Sequence, residues 1–151
     1  MKKTKQHGQG FRIGIVRTSW NDEIVSELHA RCVQALRDAG VRAKDIISVE
    51  VPGSFELPLA AQFLIKKKKV DAVVALGCLI KGETMHFEYI CESVSHGLQR
   101  VALDTSKPVV FGVLCCLTEL QAKARASRER KDHGYEWGQT AVEMVGLIKK
   151  K

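Results

Sequence analysis

Four short apolar runs punctuate the chain, at residues 11–16, 46–51, 70–76 and 109–114, and each is rich in valine and isoleucine. Both alternating faces of each run are mostly apolar, which predicts strands covered on both sides. Between them the apolar positions shift to three- and four-residue spacing, the period of a helix. In the first such stretch Val25, Leu28, Cys32, Ala35 and Leu36 form the stripe, with Asn21 placed to cap its start and Gly40 beyond its end. The second begins near Pro58, suited to a first turn, and carries Leu59, Phe63 and Leu64. It ends in Lys66, Lys67, Lys68 and Lys69, where cations favour the negative end of the helix dipole. The third spans 87–104, with Phe87, Ile90, Cys91, Val94, Leu98 and Val101 on one side. A short helix at 118–126, a basic loop and a last helix at 135–148 follow. Trp137, Ala141, Met144, Val145 and Ile148 make the last stripe.

This alternation predicts an α/β protein: a three-layer α/β/α sandwich around a four-stranded parallel sheet with right-handed crossovers. Ligands of such sheets bind beyond the carboxyl ends of the strands. That rule selects the loops at 17–22, 52–57 and 77–86 and the chain from 115 onward. No linker or break in composition interrupts the order. The expected organisation is a flexible basic segment over 1–10 and a single domain over 11–151.

Composition narrows the class. A chain of 151 residues with 45% hydrophobic and 27% charged positions has the make-up of a globular domain, not a disordered one. The longest charge-free stretch, 108–118, is far short of the ~20 apolar residues of a membrane span. No apolar segment follows the N-terminal lysines, so no signal peptide is expected and a cytoplasmic location is. Lys and Arg number 24 against 17 Asp and Glu, a formal charge of +7 that suits an anionic small substrate and raises the question of nucleic acid. No aromatic residues interleave the basic runs as a single-strand stacking surface requires, so nucleic acid is not the expected partner. The five cysteines are odd in number and form no C-x-x-C pair. Adjacent Cys115 and Cys116 would point to opposite faces of a strand. All five are expected as reduced thiols in apolar surroundings, and no metal site is expected.

The selected loops hold the candidate chemistry. Trp20 could staple the first helix or offer a flat plate to a planar ring. Ser54 and Glu56, with free backbone N–H groups nearby, suit a polyhydroxylated ligand, while Glu56 could equally serve the helix dipole. Residues 77–86 run from an apolar strand through Gly82 and Thr84 into a long helix, and open N–H groups at a helix start favour phosphate. The G-x-x-x-x-G-K-[ST] pattern of a nucleotide P-loop is absent. His86 falls in the first turn, where an imidazole could pass protons or sit partly buried as a structural hydrogen-bonding group. Arg125 could pair a phosphate bidentately or remain a solvated arginine. His29 and His96 fall inside helices without ligand-spaced partners.

Several blocks in this order resemble the 6,7-dimethyl-8-ribityllumazine synthase family of riboflavin biosynthesis, over residues 11–148. They are Trp20-Asn21, then Val51-Pro52-Gly53-Ser54-Phe55-Glu56-Leu57-Pro58, then Ile80-Lys81-Gly82-Glu83-Thr84-Met85-His86-Phe87-Glu88-Tyr89. Phe111-Gly112-Val113-Leu114, Gln121-Ala122 and Arg125-Ala126 follow. The resemblance implies a flavodoxin-like fold and a cofactor-free transferase. Its reaction joins 5-amino-6-(D-ribitylamino)uracil to 3,4-dihydroxy-2-butanone 4-phosphate, giving 6,7-dimethyl-8-ribityllumazine, phosphate and water. Trp20 would then stack on the pyrimidine, Ser54, Phe55 and Glu56 would hold the ribityl chain and ring, and Cys78, Leu79 and Ile80 would line the ring pocket with backbone groups. Glu83 and Thr84 would bind phosphate, Arg125 would clamp it, and His86 would transfer protons. Phe111 and Arg125 would come from a neighbouring subunit. His133 stands where many relatives carry lysine, in Asp132-His133-Gly134, and would donate a hydrogen bond to phosphate in its place. The resemblance also implies a homo-oligomer, a pentamer or a 60-subunit shell of pentamers, with riboflavin synthase as a further partner.

Two other readings belong beside this one. Archaeal-type riboflavin synthase shares the fold and joins two lumazines. The +7 charge and lysine runs would also fit a basic nucleic-acid-binding α/β module.

Overall fold

The computed structural model describes residues 8–150. The valine- and isoleucine-rich runs form four parallel strands, β1 (Ile13–Thr18), β2 (Ile46–Val51), β3 (Ala72–Ile80) and β4 (Val109–Cys116), in the order β2-β1-β3-β4. Helices α1 (Asp22–Asp38), α2 (Leu57–Lys68), α3 (His86–Thr105), α4 (Glu119–Ala126) and α5 (His133–Lys149) connect and cover them. Alternation along β3 divides the core. Ala72, Val74, Leu76 and Cys78 face Leu28, Leu36, Ala122 and Val145 of α1, α4 and α5. Val73 and Ala75 face Leu57, Leu64, Val94 and Leu98 of α2 and α3. Each fully buried Leu, Ile or Val contributes roughly 1.5–3 kcal/mol of apolar transfer, so both sheet faces hold the layers together. This is the expected three-layer sandwich.

The structure departs from the sequence reading at several edges, each for a local reason. β3 does not stop at Leu76. Gly77, Cys78, Leu79 and Ile80 stay in the sheet because Val113, Leu114, Cys115 and Cys116 of β4 pair with them. Asn21 occupies the N-cap position of α1 but makes no cap hydrogen bond; it adopts a left-handed conformation with φ 57°. In α2 the buried side is Leu57, Ala61, Leu64 and Ile65, while the expected Leu59 and Phe63 are exposed.

On α5 the inward face is Gly134, Gly138, Ala141, Val142 and Val145, and Met144 and Ile148 face outward. A Cβ on Gly134 would meet the Leu28 carbonyl oxygen, and one on Gly138 would lie 2.8 Å from that of Cys32. The close backbone approach of α1 and α5 therefore selects small residues where an apolar stripe was expected. α5 begins at His133, two residues before the expected start.

All five cysteines are free, as expected, but Cys115 is exposed and Cys91 half-buried rather than in the core. Of the segment expected to be flexible, residues 1–7 lie outside the described residues, whereas Gly8 is buried and donates its N–H to the Ala39 carbonyl at 2.6 Å. Among the described residues no helix is long and apolar enough to cross a membrane.

Candidate active site

At the carboxyl ends of β1, β2 and β3, where the chain leaves the sheet to either side, lies a cleft of about 850 Å³. A switch point of this kind splays adjacent connections apart and leaves a crevice. The loop after β1 is folded onto the loop after β2 by backbone bonds, Ser19 N–H to Val51 O (2.8 Å) and Trp20 N–H to Pro52 O (3.2 Å). The buried hydroxyl of Thr18 donates to the Trp20 carbonyl at 3.1 Å. Trp20 itself is 73% exposed, so it does not staple α1; its ring is an open plate on the cleft wall.

A 3-10 turn over Ser54–Glu56 forms the second wall. The Glu56 carboxylate accepts the Gly53 N–H through Oε2 at 3.0 Å, which closes the turn and leaves Oε1 able to accept another donor. Ser54 is buried beneath it, against Gly77 of β3. A Cβ on Gly77 would come 2.8 Å from Ser54 Oγ, so glycine there makes the room. The third wall is the rim of β3 with the start of α3. Asn21 Nδ2 donates to the Cys78 carbonyl at 2.8 Å and joins the first wall to the third. Burial pushes the Cys78 thiol up to about 12, which keeps it protonated and unreactive near neutral pH.

Beyond β3, residues 81–85 lead into α3 across an exposed turn. Thr84 Oγ1 accepts the His86 N–H at 3.3 Å, and His86, the first residue of α3, is exposed on the cleft. The alternative of a partly buried structural histidine does not match this position. A helix start on an open cleft suits an anion, and an imidazole beside it can pass protons to a bound substrate. Among the described residues no group of three or more His, Cys, Asp or Glu side chains is arranged to hold a metal.

Of the residues singled out in the sequence, Trp20, Ser54, Phe55, Glu56, Cys78, Leu79, Ile80, Thr84 and His86 line this one cleft. Glu83 lies on the adjoining exposed turn. Phe111, Arg125 and His133 are elsewhere on the chain. Phe111 sits midway along the edge strand β4, opposite Ala75 and 41% exposed. Arg125 lies on α4, across the sheet from α3, and donates to the Gln121 carbonyl at 3.0 Å. His133 stacks on Trp137 with ring centroids 5.5 Å apart, its Nδ1 3.2 Å from Glu136 Oε2. Asn21, Phe87 and Ile90 also line the cleft, a role the sequence reading missed. Asn21 had the spacing of a cap, and the two apolar residues had the spacing of a buried stripe.

The family model for 6,7-dimethyl-8-ribityllumazine synthase matches residues 10–149. Similar proteins carrying that name include one from Pyricularia oryzae, 42% identical over 93% of this chain and 90% of its own length. One from Coxiella burnetii is 44% identical over 92% of each chain. One from Cytophaga hutchinsonii is 46% identical over 87% of this chain and 83% of its own. With this coverage, the chain belongs to the 6,7-dimethyl-8-ribityllumazine synthase family.

Proposed function

We propose that the cleft is the active site of a transferase that condenses 5-amino-6-(D-ribitylamino)uracil with 3,4-dihydroxy-2-butanone 4-phosphate. The observation that carries this reading is the meeting of an open indole, a hydroxyl–carboxylate pair, a helix start and an imidazole in one crevice, in a chain of this family. Trp20 stacks on the pyrimidine, and Ser54, Phe55 and Glu56 hold the ribityl chain and ring. Backbone groups of Cys78, Leu79 and Ile80 meet the ring's polar edge. The turn carrying Glu83 and Thr84 receives the phosphate through its N–H groups.

The chemistry is redox-neutral. The 5-amino group attacks the ketone carbon, and the carbinolamine loses water to give an imine. Loss of the proton on C3 turns the imine into an enamine, whose electron pair expels inorganic phosphate by breaking the C4–O bond. The enol left behind takes a proton on C4 and becomes a ketone at C3, which the ribityl-bearing nitrogen attacks, and a second water is lost as the ring closes. Each stage moves a proton between nitrogen, carbon and oxygen, and His86 is the side chain on the cleft suited to pass them. Holding two reactants in register supplies much of the remaining acceleration.

The same reading places Phe111 and Arg125 in the site of an adjoining copy, within a homopentamer or a shell of pentamers, and gives His133 a hydrogen bond to the phosphate. Its support is that these residues lie outside the chain's own cleft, and that Phe63, Tyr89, Phe111, Leu117 and Leu120 are left exposed. Five free thiols fit a reducing, cytoplasmic setting. Riboflavin synthase, which consumes the product, is the expected partner, and residues 11–151 form the catalytic domain. Neither the archaeal-type riboflavin synthase reading nor the nucleic-acid module gains support from the family match.

Mixing the purified protein with both substrates tests the reading. Lumazine absorbance and inorganic phosphate should rise together in a one-to-one ratio. Absence of both, or lumazine without phosphate, would remove it.

A further inference from the structure

The turn that leads from β3 into α3 is fastened at both ends by one residue and its partner. Lys81 donates its backbone N–H to the Cys116 carbonyl at the end of β4 (3.0 Å). Its ammonium reaches over the turn to Glu88 Oε1 at 2.6 Å. Glu88 lies in the first turn of α3, so the ion pair spans the exposed residues Gly82, Glu83, Thr84 and Met85 and the helix start that bears His86. The second carboxylate oxygen, Oε2, is buried without a hydrogen-bond partner among the described residues. The bond from Lys81 holds the Glu88 carboxyl below its usual range, which keeps the pair charged.

We propose that Lys81 and Glu88 are positioning residues: their ion pair holds residues 82–85 in the shape that receives a phosphate group. This deepens the proposed function and rests on its phosphate subsite. A turn closed at both ends has fewer conformations to lose when a ligand orders it.

The test compares Lys81→Ala, Glu88→Ala and the exchanged pair Lys81→Glu with Glu88→Lys, each checked for folding by circular dichroism. Both single variants should raise KM for the butanone phosphate about tenfold. KM for the ribitylaminouracil and kcat at saturation should change less than about threefold. The exchanged pair should recover most of the loss, which a purely structural defect would not do. Inorganic phosphate, titrated calorimetrically, serves as an activity-independent probe and should bind more weakly to both single variants. Unchanged phosphate affinity in a folded single variant, or KM values raised equally for both substrates, would overturn the proposal. If the wild-type protein binds phosphate in a Lys81-dependent way yet condenses nothing, the clamp stands and the reaction assignment falls.

Discussion

Asn21 donates a side-chain hydrogen bond to the main-chain carbonyl of Cys78 at 2.8 Å, and so links the loop after β1 to the rim of β3 across the floor of the cleft. The reach depends on the left-handed backbone of Asn21, which turns its side chain away from α1 and towards β3. Asparagine tolerates that conformation better than most residues, and glycine does so freely.

Two substitutions separate these contributions. Asn21→Gly loses the hydrogen bond, worth about 1 kcal/mol, and keeps the backbone freedom. Asn21→Ala loses the bond and adds about 1–2 kcal/mol of left-handed strain. Urea denaturation should therefore rank wild type above Asn21→Gly and Asn21→Ala lowest, and both variants should raise KM for the pyrimidine. Equal stability of the two variants would remove the strain argument.

The seam between α1 and α5 gives a second ranking. Gly138→Ala would press a methyl group against the Cys32 carbonyl and the Ala35 side chain, both 2.8 Å away. The obstacle is largely backbone, so the cost should be about 1–3 kcal/mol. Gly134→Ala meets the Leu28 backbone and should cost at least as much. Gly146→Ala, on the same helix with no atom within 4 Å of the added carbon, should instead gain up to about 1 kcal/mol of helix propensity. Thermal or urea unfolding of the three variants checks the order.

What the sequence revealed follows from which signals are local. Strand positions were legible because Val/Ile runs buried on both faces have no competing pattern, and α1 was legible because its stripe is conventional. The end of β3 was not, because Gly77 reads as a breaker until β4 is seen to pair beyond it. On α5, Ala141 and Val145 were legible as part of an apolar stripe, whereas Gly134 and Gly138 were hidden because close helix contact selects glycine, which carries no hydrophobic signal. Trp20, Ser54, Thr84 and His86 could be gathered beforehand because strand-end loops converge in a parallel sheet. The Lys81–Glu88 bond could not, because its length and partner depend on the course of an irregular turn.

His29 supplies a pH test. Half-buried on α1, it meets Ser48 Oγ at 2.9 Å, and burial, with the Arg17 charge nearby second, holds its pKa below the usual value of 6.5. The unfolded chain therefore binds this proton more readily than the folded one. Its stabilising contribution is complete above pH 6.5 and is lost as pH falls from there through the folded pKa. The urea midpoint should drop between about pH 7.5 and 5.5, and His29→Gln should shrink that drop. An identical drop in the variant would exclude His29 as its source.

His86 at the start of α3 is the proton-passing group of the proposed reaction, and the rate of lumazine formation by His86→Ala under saturating substrates tests that most directly. The variant should fold, bind inorganic phosphate like the wild type, and turn over about 10²–10⁴-fold more slowly. A rate within about threefold of wild type would contradict it, since the imidazole would then make no difference of the size expected from general acid–base catalysis.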